Sequence, residues 1–248
     1  MIRIKICGIQ TLEAARWAIE AGADALGFVF VPHSKRYIPP HDAQVIIKQL
    51  PPFVSKVGVF ADEPPQKVAE ILRECHLDTL QLHGQEDLRL YHPLPIAKIK
   101  VLSFPSSPSL ITTSPTAMDK VGNADLRQLR AQLQELPPNS LQGILLDSSN
   151  QGTRGGTGLP LPWLDTKFQA YLCQVKSLGY PVFLAGGLRP DNVKQALHLT
   201  HPYGVDVSSG VEEKGRKDQK KIHHFITQIR HQERSCPYDN CPHDTRYS

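Results

Sequence analysis

The chain has 248 residues, 40% of them hydrophobic and 21% charged, the balance of an ordinary globular protein. Its net charge of +4 suits an anionic small substrate and is far from a nucleic-acid signature. No apolar run approaches the roughly 18 residues that span a membrane, the start MIRIKICGI is unlike a signal peptide, and five scattered cysteines fit reduced thiols in a cytoplasm.

Eight short apolar runs read as strands. The first is 2–7, IRIKIC, followed by TLEAARWAIEAG, a helix with Thr11 as N-cap and Gly22 as its stop. Next come strands at 25–31 and 54–60, then the helix PPQKVAEILRECH, with proline at its entry and apolar residues at 68, 71, 72 and 75. Strands at 79–83 and 96–102 lead into SFPSSPSLITTSPT, a Ser/Pro/Thr-rich insertion at about 103–118 that reads as extended or mobile. A helix through NADLRQLRAQLQEL precedes strands at 142–147, 181–185 and 204–208. The helix DQKKIHHFITQIR closes the series, with Ile222, Phe225, Ile226 and Ile229 on one face. Strand–helix alternation implies parallel pairing through right-handed crossovers. Eight units in this length predict an α/β fold, a single (β/α)8 TIM barrel over 1–232, with 233–248 as a disordered tail.

Alternate strand residues face opposite sides. The apolar sets (Ile2, Ile4, Ile6; Leu80, Leu82; Val205, Val207) belong under the helices, which points Lys5, Cys7, Gln81, His83, Asp206 and Ser208 into the barrel. Asp147 ends the sixth strand, although Leu145 shares its parity. Cys7, His83, Asp147 and Ser208 then gather at the C-terminal rim, where such barrels hold their active sites. Glycine-rich turns follow the last three strands: GGTG (155–158), AGGL (185–188) and SSGVE (208–212). Exposed N–H groups in such turns bind anions, so Gly156, Gly186, Gly187, Ser209 and Gly210 are candidate phosphate binders.

KICGI, GADALGFVF, SKRYI, VGVF, LQLHGQE, LLDS, GGTG, LAGGLRPDNV and DVSSGVEEKGRKD, in this order over residues 2–230, resemble the landmarks of the phosphoribosylanthranilate isomerases. The resemblance implies a cofactor-free, metal-free Amadori rearrangement in tryptophan biosynthesis, from N-(5-phosphoribosyl)anthranilate to 1-(2-carboxyphenylamino)-1-deoxyribulose 5-phosphate. It puts the family's general base on Cys7, its general acid on Asp147 and its carboxylate-binding arginine on Arg36, with Lys35 where the family often has proline. His83 and Asp206 are candidate substrate contacts. The chemistry asks for the same roles: an acid to protonate the ribose ring oxygen, and a base to take the C2′ proton of the resulting Schiff base. An ordinary thiol has a pKa near 8.5, so Lys5, two residues before Cys7 on the same strand face, is expected to help ionise it while Asp206 partners the lysine.

Other readings are weaker. The histidine-pathway isomerase would use two aspartates, and a catalytically dead sensor should lack Cys7 or Asp147. The tail's CPYDNCPH offers two cysteines and one histidine where structural zinc takes four ligands. EEKGRKDQKK (212–221), with mixed signs at a helix start, reads as a solvated face and not as an RNA contact. Cys75 and Cys173 are expected to be small buried hydrophobes. A monomer is expected, with no exposed apolar stripe evident.

Overall fold

The computed structural model describes residues 1–105, 115–150, 153–154 and 160–235. Its strands are β1 (Arg3–Cys7), β2 (Ala25–Val29), β3 (Ser55–Phe60), β4 (Thr79–Leu82), β5 (Ala97–Pro105), β6 (Gly143–Asn150), β7 (Val182–Leu184) and β8 (Gly204–Val207). Each pairs in parallel with its neighbours in chain order, and β1 pairs with β8, so the sheet closes. The helices between and after them are α1 (Leu12–Ala21), α2 (Pro40–Ile47), α3 (Pro65–Glu74), α4 (Leu88–Tyr91), α5 (Pro115–Glu135), α6 (Thr166–Lys176), α7 (Val193–Thr200) and α8 (Gln219–Ser235). This is the (β/α)8 barrel expected from the alternation. Thr153–Arg154 folds back antiparallel on the end of β6.

Local signals set the helix ends. The Thr11 hydroxyl accepts from the Ala14 N–H at 3.2 Å, and Gly22, left-handed at φ 99°, donates to the Ala18 and Ile19 carbonyls. Ile222, Phe225, Ile226 and Ile229 of α8 are all buried, each worth about 1.5–3 kcal/mol of apolar burial. Arg230 ties this last helix to the start of the barrel, donating to the Ile2 carbonyl at 2.8 Å and to Asp24 at 3.2 Å.

Two expectations need revision. The stretch 103–118 is regular at both ends: β5 runs on through Pro105, and α5 begins at Pro115. Ser103 and Phe104 pair with Asp147 and Ser148 of β6, and Phe104 is buried against Phe168 and Tyr171, so strand pairing outlasts the apolar pattern that marks it. The residues between these ends, 106–114, and the tail from 236 on lie outside the described residues. Cys75 is buried as expected, but Cys173 is exposed. The buried stripe of α6 is Phe168, Tyr171, Leu172 and Val175, and position 173 falls off that face.

Candidate active site

The barrel interior combines apolar clusters with a buried charged layer. Val101, Leu145 and Ala185 cluster inside β5, β6 and β7, with Ile99 and Phe183 packed on them. Leu145 therefore shares the inward face with Asp147, which resolves the parity conflict of β6. Across from them Lys5 is buried, its ammonium donating to Asp206 Oδ2 and to Gln81 Oε1, both at 2.9 Å. Burial opposes that charge, but Asp206 and then Cys7 outweigh it and raise the lysine above its ordinary value. Asp206 Oδ1, by contrast, is buried with no hydrogen-bond partner among the described residues.

Cys7 lies one layer higher, at the end of β1. A side chain on Gly27 of β2 would sit 2.8 Å from Cys7 Sγ and 3.0 Å from Lys5 Cε, so glycine leaves the thiol its room. The chain then turns through Gly8, left-handed at φ 79°. Arg36 lies on that glycine, its Cδ 2.5 Å from where a Cβ would stand. Burial pushes the Cys7 thiol up; Lys5 and Lys217 pull it down and Asp206 pushes it up.

The other wall of the rim is β6. Asp147 is buried, and desolvation raises its carboxyl against the pull of His83 and of the Ser148 N–H, which donates to it at 2.7 Å. His83 Nε2 stands 3.4 Å from Asp147 Oδ2 without the alignment of a hydrogen bond. Arg36 faces both ends of this arrangement, its charge interacting with Cys7 and with Asp147. The neighbouring Lys35 side chain is exposed. Cys7 and Asp147 thus stand on β1 and β6, with β8 and β7 between them in the sheet order, and can reach a bound molecule from different sides.

The turns after β7 and β8 complete the rim. Gly186 and Gly187 are left-handed, at φ 75° and 60°, and no acceptor for their N–H groups occurs among the described residues. Asn192 braces this turn, donating to the Gly187 carbonyl at 2.9 Å and accepting from the Arg189 N–H at 2.7 Å. Ser209 and Gly210 belong to a 3-10 turn, Ser209–Val211. Gly156 lies outside the described residues. A cavity of about 480 Å³ opens at the opposite, N-terminal end of the barrel. Its walls are largely apolar, among them Val57, Ile99, Phe183 and Val205, and Lys5 and Asp206 form its floor. It holds no acid–base pair of the kind found at the rim. Among the described residues no group of histidine, cysteine and acidic side chains is arranged to hold a metal, and no helix is long and apolar enough to cross a membrane.

The family model for N-(5'phosphoribosyl)anthranilate (PRA) isomerase matches residues 4–228. The chain belongs to the phosphoribosylanthranilate isomerase family. It is thus an aldose–ketose isomerase of tryptophan biosynthesis. It is 61% identical to the N-(5'-phosphoribosyl)anthranilate isomerase of Desulfitobacterium hafniense strain Y51, over 93% of this chain and 98% of that one. The crystal structure of the Thermotoga maritima phosphoribosylanthranilate isomerase superposes with a TM-score of 0.73 at 37% identity, covering 93% of this chain and all of that one. A further phosphoribosylanthranilate isomerase structure, in complex with reduced 1-(o-carboxyphenylamino)-1-deoxyribulose 5-phosphate, gives 0.69 at 35% identity, with the same coverage.

Of the site residues expected from the sequence, the fold brings Cys7, Arg36, His83, Asp147 and the turns at 186–187 and 209–210 to one rim, with Asp206 and Lys5 just beneath. Two half-buried charged residues at this rim were missed. Glu212 and Lys217 belong to a hairpin in which Glu212–Glu213 pairs with Arg216–Lys217, and not to a solvated helix start. The missed signal is Lys214–Gly215 between alternating residues; both take positive φ, 49° and 79°, as the tightest hairpin turns require.

Proposed function

We propose that the chain catalyses the Amadori rearrangement of N-(5-phosphoribosyl)anthranilate, with Asp147 as general acid and Cys7 as general base. The observation that carries this reading is the pair of ionisable groups on two walls of one rim, with the Arg36 charge acting on both. Desolvation favours a protonated Asp147, the form needed to deliver a proton to the ribose ring oxygen as the C1′–O bond breaks. The nitrogen lone pair then forms a Schiff base, which acidifies the C2′ proton. Cys7 as thiolate takes that proton, leaving an enolamine whose tautomerisation gives the 2-ketose. No cofactor or metal enters any of these steps.

The other groups bind. Arg36 meets the anthranilate carboxylate in a fork geometry that suits a planar anion. His83 adjoins the acid. The unpartnered Oδ1 of Asp206 accepts from a sugar hydroxyl, which would relieve its buried, unpaired state. The phosphate sits at the turns of Gly186, Gly187, Ser209 and Gly210, where the left-handed Gly186 and Gly187 let backbone N–H groups converge on an anion. The chain is proposed to act as a monomer in the cytoplasm. The test is the loss of anthranilate-type fluorescence when freshly made phosphoribosylanthranilate is added. Wild type should turn over, and Asp147→Asn should lose about 10²–10⁴-fold in kcat. A fully active Asp147→Asn would remove the acid from the mechanism.

A further inference from the structure

The hairpin after β8 carries two half-buried charges that no step above uses. The Lys217 side chain is 4% exposed; its ammonium donates to Glu212 Oε1 at 2.7 Å, to the Ser208 carbonyl at 3.0 Å and to Ser208 Oγ at 3.3 Å. Ser208 Oγ in turn donates to the Cys7 carbonyl at 3.0 Å. The lysine is therefore one hydroxyl away from the residue assigned as base. Glu212 serves a second cation as well: Oε1 accepts from Arg36 Nε at 2.7 Å and Oε2 from Arg36 Nη2 at 3.0 Å. One carboxylate thus joins the loop after β2 to the hairpin after β8.

We propose that Glu212 and Lys217 are positioning residues for the isomerisation: Glu212 fixes Arg36 for the substrate carboxylate, and Lys217, braced by Ser208, adds a positive charge beside Cys7 that favours its thiolate. This rests on the assignment of Cys7 as base and Arg36 as carboxylate clamp. The charge count around the thiol supports it. Lys5 approaches from the same strand, but Asp206 of β8 neutralises it at 2.9 Å. On the rim side Arg36, Lys217 and Glu212 together leave one net positive charge, and Asp147 stands further off on β6. Arg36, Lys217 and Glu212 thus add positive potential on the rim side of Cys7, beside that of Lys5 beneath it. A carboxylate that pre-aims a guanidinium also spares the ordering of a long side chain when substrate binds. Burial pulls the Lys217 ammonium below its ordinary value against the hold of Glu212.

The two residues carry opposite signs, and this separates field from packing. Cys7 alkylation by iodoacetamide, read by peptide mass spectrometry so that the other cysteines do not interfere, gives the thiol's titration midpoint. Lys217→Met should raise that midpoint by about one pH unit, and Glu212→Gln should lower it by a similar amount. Glu212→Gln should also raise KM about tenfold with kcat changed much less, because Arg36 loses its holder. Lys217→Arg, which keeps a cation in the hairpin, should titrate like wild type. Shifts of the same sign in Lys217→Met and Glu212→Gln, or no shift in either, would overturn the proposal. If Lys217→Met does not fold, Glu212→Gln decides: a midpoint that stays or rises overturns it. Alkylation needs no turnover, so an inactive wild type would count against the isomerase reading alone.

Discussion

Replacing Lys5 by methionine separates two jobs of one buried ammonium. Its first job is structural. Lys5 neutralises Asp206 at 2.9 Å, with both side chains under 10% exposed. Removing one partner of such a pair leaves a buried carboxylate uncompensated, at a cost of about 3–5 kcal/mol. For a chain of this length each kcal/mol moves Tm by roughly 2–4 °C, so the variant should melt about 6–20 °C lower. The second job is electrostatic. Cys7 Sγ and Lys5 Cε lie 2.8 Å and 3.0 Å from one common point, the Cβ position of Gly27, which puts them within 5.8 Å of each other. At about 6 Å and an effective dielectric of about 20, a unit charge acts on the thiolate with about 3 kcal/mol, or roughly two pKa units. Cys7 alkylation at fixed pH should therefore slow by about 10²-fold. The double variant Lys5→Met/Asp206→Asn should recover most of the stability and show a smaller alkylation defect, since the opposing charge has gone too. Thermal melts and site-resolved alkylation on the three proteins check both halves. A single variant that melts with the wild type, or a Cys7 that reacts faster in it, would refute this account of Lys5.

Gly27→Ala places a methyl 2.8 Å from Cys7 Sγ and 3.1 Å from Cys7 Cα; overpacking should cost about 1–3 kcal/mol, and displacement of the base should lower kcat about 10²-fold, both measurable on the purified variant. Lys100→Met strands Glu86, whose carboxylate accepts from the Asp62 and Gly84 N–H groups at 2.9 Å behind His83; a loss of about 3–5 kcal/mol is expected in urea unfolding, most of it recovered by adding Glu86→Gln. In acid, Glu212 supplies a window of pH dependence: although burial opposes ionisation, Arg36 and Lys217 hold its carboxyl down to about 2 from an ordinary 4.5. A depressed carboxylate stabilises the fold above its unfolded pKa, so about 2 kcal/mol after solvent screening should fade as pH falls from 4.5 towards 2, and Glu212→Gln should flatten that limb. Asp147, raised by burial, acts in the opposite sense and should blunt the limb slightly.

The barrel was legible because each strand is a short apolar run bounded by turn residues, and because period-two alternation in β1, β4 and β8 assigned Lys5, Gln81 and Asp206 to the interior. In β6 Leu145 and Asp147 share that interior, since Leu145 joins the apolar cluster with Val101 and Ala185 one layer below the rim; a single strand cannot reveal which layer is apolar. The continuation of β5 to Pro105 was hidden for a related reason: Ser103 is held by pairing with Asp147, a long-range contact that leaves no local pattern. Glu212 and Lys217 were obscured by composition, because a run of mixed charges reads as solvated until the Lys214–Gly215 turn folds it into a hairpin across the rim. Cys173 was misplaced although the sequence held the answer, since the stripe 168, 171, 172, 175 excludes position 173.

The central claim, that the thiol ending β1 is the base of an aldose–ketose isomerisation, is tested most directly by comparing wild type, Cys7→Ser and Cys7→Ala in the phosphoribosylanthranilate fluorescence assay. The account predicts turnover in the wild type and a loss of about 10²–10⁴-fold or more in both variants, with thermal melts close to that of the wild type. Equal turnover in all three would contradict it and move the base to another group at the rim.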